Sequence, residues 1–328
     1  MKVAVTGADG FIGSHLVEAL VRAGADVVAM AQYNSVGSWG WLEDLPADVL
    51  DGVEVRLGDL RDAGTTSSAL AGASVVYHLG ALIAVPYSFD APRSYVETNV
   101  LGTQNVLEAV RRESSRLVHT STSEVYGSAL SVPISEDHPL QAQSPYAATK
   151  IAADKLVESY VAAYGVRAVT VRPFNTYGPR QSARAFIPAV MAQALAGRTT
   201  VRVGSLSPRR DLTFVADTVA AFRAVGELDD DPWNGATFNA GTGSSWSMGH
   251  VLHEIARVVG VHLDVDTDAE RVRPPAAEVR HLECDASRLR AATGWEARSS
   301  LREGLEATRA WMAEPRHFGS YKPDLHQV

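Results

Sequence analysis

The chain is predicted to be an α/β protein with a doubly wound parallel sheet and a smaller C-terminal lobe. Three observations predict this. Short apolar runs alternate with helical stretches through residues 2–172, a glycine-rich turn joins the first run to the first helix, and the alternation loosens beyond residue 172. Parallel neighbours need a long crossover between them, so run, helix, run in repetition reads as strands joined by helices across the sheet faces.

The elements follow in order. Strands are expected at 2–6, 26–31, 53–57, 74–79, 116–121 and 167–172, and helices near 11–23, 65–71, 92–113 and 144–164. These make a first domain over 1–172. Residues 173–328 form a substrate lobe, partly interleaved with the sheet, with helices at 185–197, 247–259 and 301–312 and short strands near 200–204 and 236–240. The tail from Pro315 to Val328 reads as an extended surface segment.

At 328 residues the chain can bury a large core. Its 30 basic and 38 acidic residues give a formal charge of −8, with no basic run and no zinc-ligand cluster, so neither nucleic acid nor a metal is an expected partner. Anionic ligands must be held locally, by helix N-termini and single arginines. The lone Cys284 excludes an internal disulfide and fits a reducing cytoplasm. Met1 leads straight into a strand, leaving no room for a signal peptide, and no 18-residue apolar stretch suits a membrane. A soluble cytoplasmic protein is expected.

Two motifs carry chemistry. Gly7-Ala8-Asp9-Gly10-Phe11-Ile12-Gly13 follows the first strand and opens the first helix. It is one residue wider than Gly-x-Gly-x-x-Gly, with the same mechanics: a tight turn, a backbone that approaches a pyrophosphate, and free N–H groups at a helix start. Tyr146 and Lys150 lie four apart, on one face of a helix. An ammonium beside a phenol favours phenolate and is expected to lower the Tyr146 pKa, making it a base for a sugar or alcohol hydroxyl.

Together with Thr120-Ser121-Thr122-Ser123-Glu124-Val125-Tyr126-Gly127, these motifs resemble the extended short-chain dehydrogenase/reductase superfamily. Matching pieces span nearly the whole chain, among them Gly58-Asp59-Leu60, His78-Leu79-Gly80-Ala81, Asn99-Val100-Leu101-Gly102, Asn175-Thr176-Tyr177-Gly178-Pro179-Arg180 and Arg210-Asp211-Leu212. The resemblance implies a Rossmann-type domain that holds a dinucleotide and acts on nucleotide-activated sugars. It implies a cofactor site of Gly7, Gly10, Phe11, Ile12, Gly13, Asp59, Leu60, Leu79, Ala81, Asn99, Tyr146 and Lys150, with Asp59 reaching the adenine edge. It also implies a homodimer formed through helices 92–113 and 144–164. One position departs. Ala31 stands where NAD-binding members place an acid for the ribose hydroxyls, and no arginine replaces it. NAD is favoured because a 2′-phosphate would lack a cation, yet NADP is not excluded.

In this superfamily C4 of the sugar is oxidised transiently, and the residue matching Thr122 helps Tyr146 take the 4-hydroxyl proton. Sugar 4,6-dehydratases usually follow it with Asp-Glu, the Glu removing the C5 proton. Here Ser123 replaces the Asp and Glu124 is kept. Thr-Ser-Glu is shared with legionaminic-acid-pathway 4,6-dehydratases, which act on nucleotide-linked N-acetylglucosamine and which this chain also resembles in its Trp39-Gly40-Trp41, Pro86-Tyr87-Ser88 and Gln181-Ser182-Ala183-Arg184 loops. UDP-glucuronate decarboxylases carry the same triplet, and 4-epimerisation starts from the same oxidation. The nucleotide sugar is expected to meet Pro86, Asn175, Arg180, Arg184, Arg210, Arg273 and Glu278. Trp39 and Trp41 read as loop packing, His78 and His119 as core histidines.

Overall fold

The computed structural model describes residues 1–229, 232–268 and 278–323. Its centre is a seven-stranded parallel sheet built from β1 (Lys2–Thr6), β2 (Asp26–Gln32), β3 (Val53–Gly58), β4 (Val75–His78), β5 (Arg116–Thr120), β6 (Arg167–Pro173) and a seventh strand, Asn234–Ala240. The order is seventh strand, β6, β5, β4, β1, β2, β3. Strand order reverses between β1 and β4, and a ligand crevice lies at the carboxyl ends on either side of such a reversal.

Away from the edge strand β3, whose Glu54 and Leu57 are exposed, central strands such as β1, β2 and β4 read as apolar runs because both sheet faces are covered. Val3, Val5, Val27, Ala29, Val75, Tyr77, Val118, Val169 and Val171 are buried on one face, with α1 (Phe11–Arg22) and the helix Val215–Gly226 packed over them. The alternate residues Ala4, Val28, Val76, Leu117 and Ala168 are buried on the other, beneath Gly102–Glu113 and Pro145–Tyr164. Full burial of each such valine or leucine contributes about 1.5–3 kcal/mol.

A second core gathers Ile187, Met191, Val201, Val251, Ile255, Leu305 and Met312. It joins the helices Phe186–Leu195, Met248–Val259 and Leu301–Met312 to the strand Thr200–Val203, which pairs with Asp264–Thr267 outside the main sheet. The seventh strand, which pairs with β6, comes from the second half of the chain.

Several elements differ from the sequence reading, among them the short helices Val85–Asp90 and Ser287–Thr293 and the strand Asp264–Thr267, which it lacks, and three differences bear on the account. The helix expected over 92–113 is π-helical across Val96–Leu101. The buried Asn99 lies there, and its amide bonds to both backbone groups of Leu82 and to the Thr149 hydroxyl. Such π segments concentrate at functional sites. Val215–Gly226, absent from the sequence reading, is a full helix. The tail is not simply extended: it makes a short helix at Pro315–Phe318, and Tyr321 is buried with its hydroxyl on the Gln181 carbonyl. Residues 324–328 lie outside the described residues. Among the described residues, no helix is long and apolar enough to cross a membrane.

Candidate active site

The glycine turn leaves β1 with Gly7 in the left-handed region at φ +64°, where a Cβ would strike the Gly80 backbone 2.7 Å away. A Cβ on Gly13 would overlap the Gly7 carbonyl. The turn and the loop after β4 therefore touch backbone to backbone, forming a cradle that side chains would fill. Gly10 caps α1 without a side-chain bond, so the first-turn amides, including those of Phe11 and Ile12, have no side chain competing for them. A dinucleotide pyrophosphate fits such a site.

Around the cradle, Leu60 packs under Gly80 and Gly102. Leu79 donates its amide to the Thr6 carbonyl at 3.3 Å, and Ala81 lies two residues on in the same loop. The Asp59 carboxylate is gripped by the Arg61 guanidinium, with Nε 3.0 Å from each oxygen. His78 is buried as expected, bridging the Thr6 and Thr103 hydroxyls at 2.8 and 3.0 Å.

Ser144 caps the 20-residue helix Pro145–Tyr164, its hydroxyl accepting the Ala147 amide, and Pro145 pre-sets the first turn. Tyr146 is thus delivered at the helix start, beside the segment that follows β5. Its phenol hydrogen-bonds the Thr122 hydroxyl. One turn later, Lys150 donates from Nζ to the Thr120 carbonyl at 2.5 Å.

The expected lowering of the Tyr146 pKa is corrected here. Burial pushes the phenol up; the Thr122 bond opposes it, while Glu124, Tyr95 and Asp154 push further up. The Lys150 ammonium is directed at a carbonyl instead, and burial brings it down to about 8 against the pull of Asp154. Thr122 caps the short turn Ser123–Tyr126, accepting the Glu124 amide at 3.2 Å. Ser123 is buried. Glu124 is half-buried, and its charge reaches the Tyr146 phenol.

Behind Lys150 stands a buried ionic group that the sequence reading passed over. Asp154 accepts from Ser121 and Arg172, each at 2.9 Å, and from His119 at 3.2 Å. Burial acts to raise the Asp154 carboxyl, and the His119 bond with the Arg172 and Lys150 charges outweighs it, leaving the group below its ordinary value. His119 is a core histidine, although its Nδ1 has no partner. The signal was present: Asp154 is four residues beyond Lys150, on the same helix face.

Opposite the phenol, Tyr95 packs edge-on against Tyr146 at 6.3 Å between ring centres. Pro86 opens the short helix Val85–Asp90 next to it, and Arg184, exposed, lies near enough for its charge to act on the Tyr95 phenol. Arg184 Nε also holds the Ser182 hydroxyl at 3.1 Å. Asn175 offers a buried Oδ1 without a partner. Arg210 is buried and pairs with Glu278 at 3.1 Å.

Arg180 is placed elsewhere. It is buried at φ +67°, with Nη2 on Glu18 of α1 at 3.2 Å and Nε 3.6 Å from Asp44. These carboxylates engage its charge, so it ties the lobe to α1 rather than facing the tyrosines. Asp44 also accepts from His317, which stacks on Trp311, and Trp41 packs against the same indole. Arg273 lies outside the described residues.

A glycine cradle at the switch point, with a Tyr–Lys pair over the strand ends, defines an enzyme of the extended short-chain dehydrogenase/reductase class, in its nucleotide-sugar epimerase/dehydratase branch. The chain belongs to the GDP-mannose 4,6 dehydratase family, whose model matches residues 4–308. It is 38% identical over 317 residues, 94% of this chain and 97% of its relative, to a UDP-glucose 4-epimerase of Mycolicibacterium smegmatis. Over 228 residues, 69% of this chain and 68% of its relative, it is 39% identical to a dTDP-glucose 4,6-dehydratase of Mycobacterium tuberculosis. Among solved structures, MoeE5 in complex with UDP-glucuronic acid and NAD superposes with TM-score 0.83 at 33% identity, over 95% of this chain and 99% of that one.

Proposed function

We propose that the protein is an NAD-dependent nucleotide-sugar 4,6-dehydratase acting on a nucleoside-diphosphate N-acetylglucosamine. The observation that carries this reading is Glu124: a second base beside Tyr146, its charge acting on that phenol, in the short turn that Thr122 caps. A 4-epimerase needs a base at O4 alone, whereas elimination needs a further base at C5. The resemblance to legionaminic-acid-pathway dehydratases supports the N-acetylglucosamine substrate.

NAD, held at the Gly7–Gly13 cradle, would supply the hydride acceptor for C4 and the hydride donor for C6. Tyr146 is the base for the 4-hydroxyl, which Thr122 orients; burial holds its phenol protonated, so it must first lose that proton, a loss that the Lys150 ammonium one turn away and the charge of oxidised NAD, when bound, would favour. The resulting 4-ketone acidifies C5. Glu124 removes the C5 proton, the C5–C6 double bond forms, and the C6 hydroxyl leaves as water on taking that proton. A solvent-derived proton then reaches C5 through Glu124 as C6 is reduced, and Tyr146 gives the 4-hydroxyl proton up to solvent, so the net change is loss of one water. Ser123, buried and a weak acid, leaves the proton traffic to Glu124. Arg210, Glu278 and Asn175 hold the diphosphate and its ribose, Arg184 and Pro86 flank the sugar, and Gly7, Gly10 and Gly13 cradle the dinucleotide with Asp59 toward adenine.

A second reading, 4-epimerisation, is favoured by the full-length likeness to the mycobacterial epimerase. Product mass separates them. The purified protein, incubated with UDP-N-acetylglucosamine, UDP-glucuronate or dTDP-glucose, is expected to remove water from the first. Loss of carbon dioxide from the second reassigns the site to decarboxylation, and conversion at unchanged mass reassigns it to epimerisation.

A further inference from the structure

We propose that Asp9 supplies, from the glycine-rich turn, the acid that β2 lacks, and so selects NAD over NADP. The inference rests on the dinucleotide reading above. In this fold an acid at the end of β2 takes the adenosine ribose hydroxyls, and here Ala31 occupies that strand position with its side chain buried. Asp9 reaches the same place from the other side. Its Oδ2 accepts the backbone N–H of Gln32, the last residue of β2, at 3.2 Å.

The loop after β2 is built to keep Asp9 there. The Asp9 carbonyl accepts the Trp41 amide at 3.0 Å. Gly40 sits at φ +58°, and a Cβ on it would lie 2.5 Å from that carbonyl. Between them, the Asn34 side chain closes the loop by bonding the Ser38 carbonyl at 2.7 Å and the Ser38 amide at 3.1 Å. A carboxylate with one oxygen on a strand-end amide keeps acceptor capacity for a ribose 2′-hydroxyl.

The same carboxylate repels a 2′-phosphate, and the arginines of the neighbouring strand do not offset it. Arg56 on β3 is engaged by Glu54 and by the Ser68 carbonyl at 2.6 Å, and Arg61 beyond it by Asp59. Sequence position alone hides this arrangement, because the acid is 22 residues upstream of the slot it serves.

Calorimetric titration of the purified protein with NAD+ and with NADP+ tests it. Wild type is expected to prefer NAD+ by tenfold or more, the scale of one hydrogen bond to a charged group. Asp9→Asn keeps an acceptor for Gln32, and Asp9→Ser removes the charge in a smaller frame; each is expected to narrow the preference roughly tenfold, in part by tighter NADP+ binding. A melting temperature near wild type shows that each variant is folded. An unchanged preference in a folded variant, or no preference in wild type, overturns the role of Asp9. Binding of neither dinucleotide by wild type overturns the dinucleotide reading itself.

Discussion

Lys150 Nζ donates to the Thr120 carbonyl at 2.5 Å, two residues before Thr122. This bond ties the start of the helix Pro145–Tyr164 to the end of β5, and so fixes Tyr146 and Thr122 relative to each other. The proposed proton transfer depends on that placement more than on any one pKa, because burial alone drives the phenol upward. Charge must come close as the proton leaves.

Tyr146→Phe is expected to lower turnover by about 10²–10⁴-fold, the usual contribution of a positioned acid–base group. The same change removes the phenol's bond to Thr122, so stability is expected to fall by about 0.5–1.5 kcal/mol. Rapid-mixing absorbance of reduced dinucleotide checks the loss of turnover. A variant retaining half the wild-type rate removes Tyr146 from its role.

Lys150 gives a pH signature in stability. Burial brings its pKa from 10.5 to about 8 in the fold. Between those values the unfolded chain binds more protons, so the penalty for burying the charge is present below the folded pKa and is relieved as pH rises toward the unfolded one. Urea unfolding of wild type and Lys150→Met at pH 7 and pH 10 should show wild type gaining on the variant, by on the order of 3 kcal/mol. A constant difference contradicts the buried, strained ammonium.

Asp154→Asn leaves Arg172 and His119 buried without their shared carboxylate. Breaking a buried pair at one partner costs about 3–5 kcal/mol. Denaturant unfolding measures the loss, and a change below about 1 kcal/mol would show that the group contributes only as a surface pair does.

Glu124→Gln separates oxidation from elimination. Reduced dinucleotide should form and persist on mixing with substrate, while release of the 4-keto-6-deoxy product falls by about 10²-fold or more. Unimpaired product formation would show that another group removes the C5 proton.

The sheet was legible because its central strands are buried on both faces, which leaves apolar runs such as Val75-Val76-Tyr77 that no amphipathic surface strand shows. The glycine turn and the Tyr146–Lys150 pair were legible because both depend on short-range spacing. Contacts made across the chain were not. Arg180 sits in a loop that reads as sugar-facing, and only its left-handed backbone and the remote carboxylates Glu18 and Asp44 turn it toward α1. The tail likewise reads as loose until Trp311, His317 and Tyr321 are seen packed on Asp44 and Gln181. Helix Val215–Gly226 escaped because it starts without a capping side chain: Phe214 stands at its N-cap.

The most direct test of the proposed chemistry is turnover of UDP-N-acetylglucosamine in heavy water, followed by mass and proton NMR analysis of the sugar. Elimination through Glu124 predicts a product lighter by one water that carries a single solvent deuteron at C5. A converted sugar of unchanged mass with its C5 proton retained would contradict the account and identify the protein as a 4-epimerase.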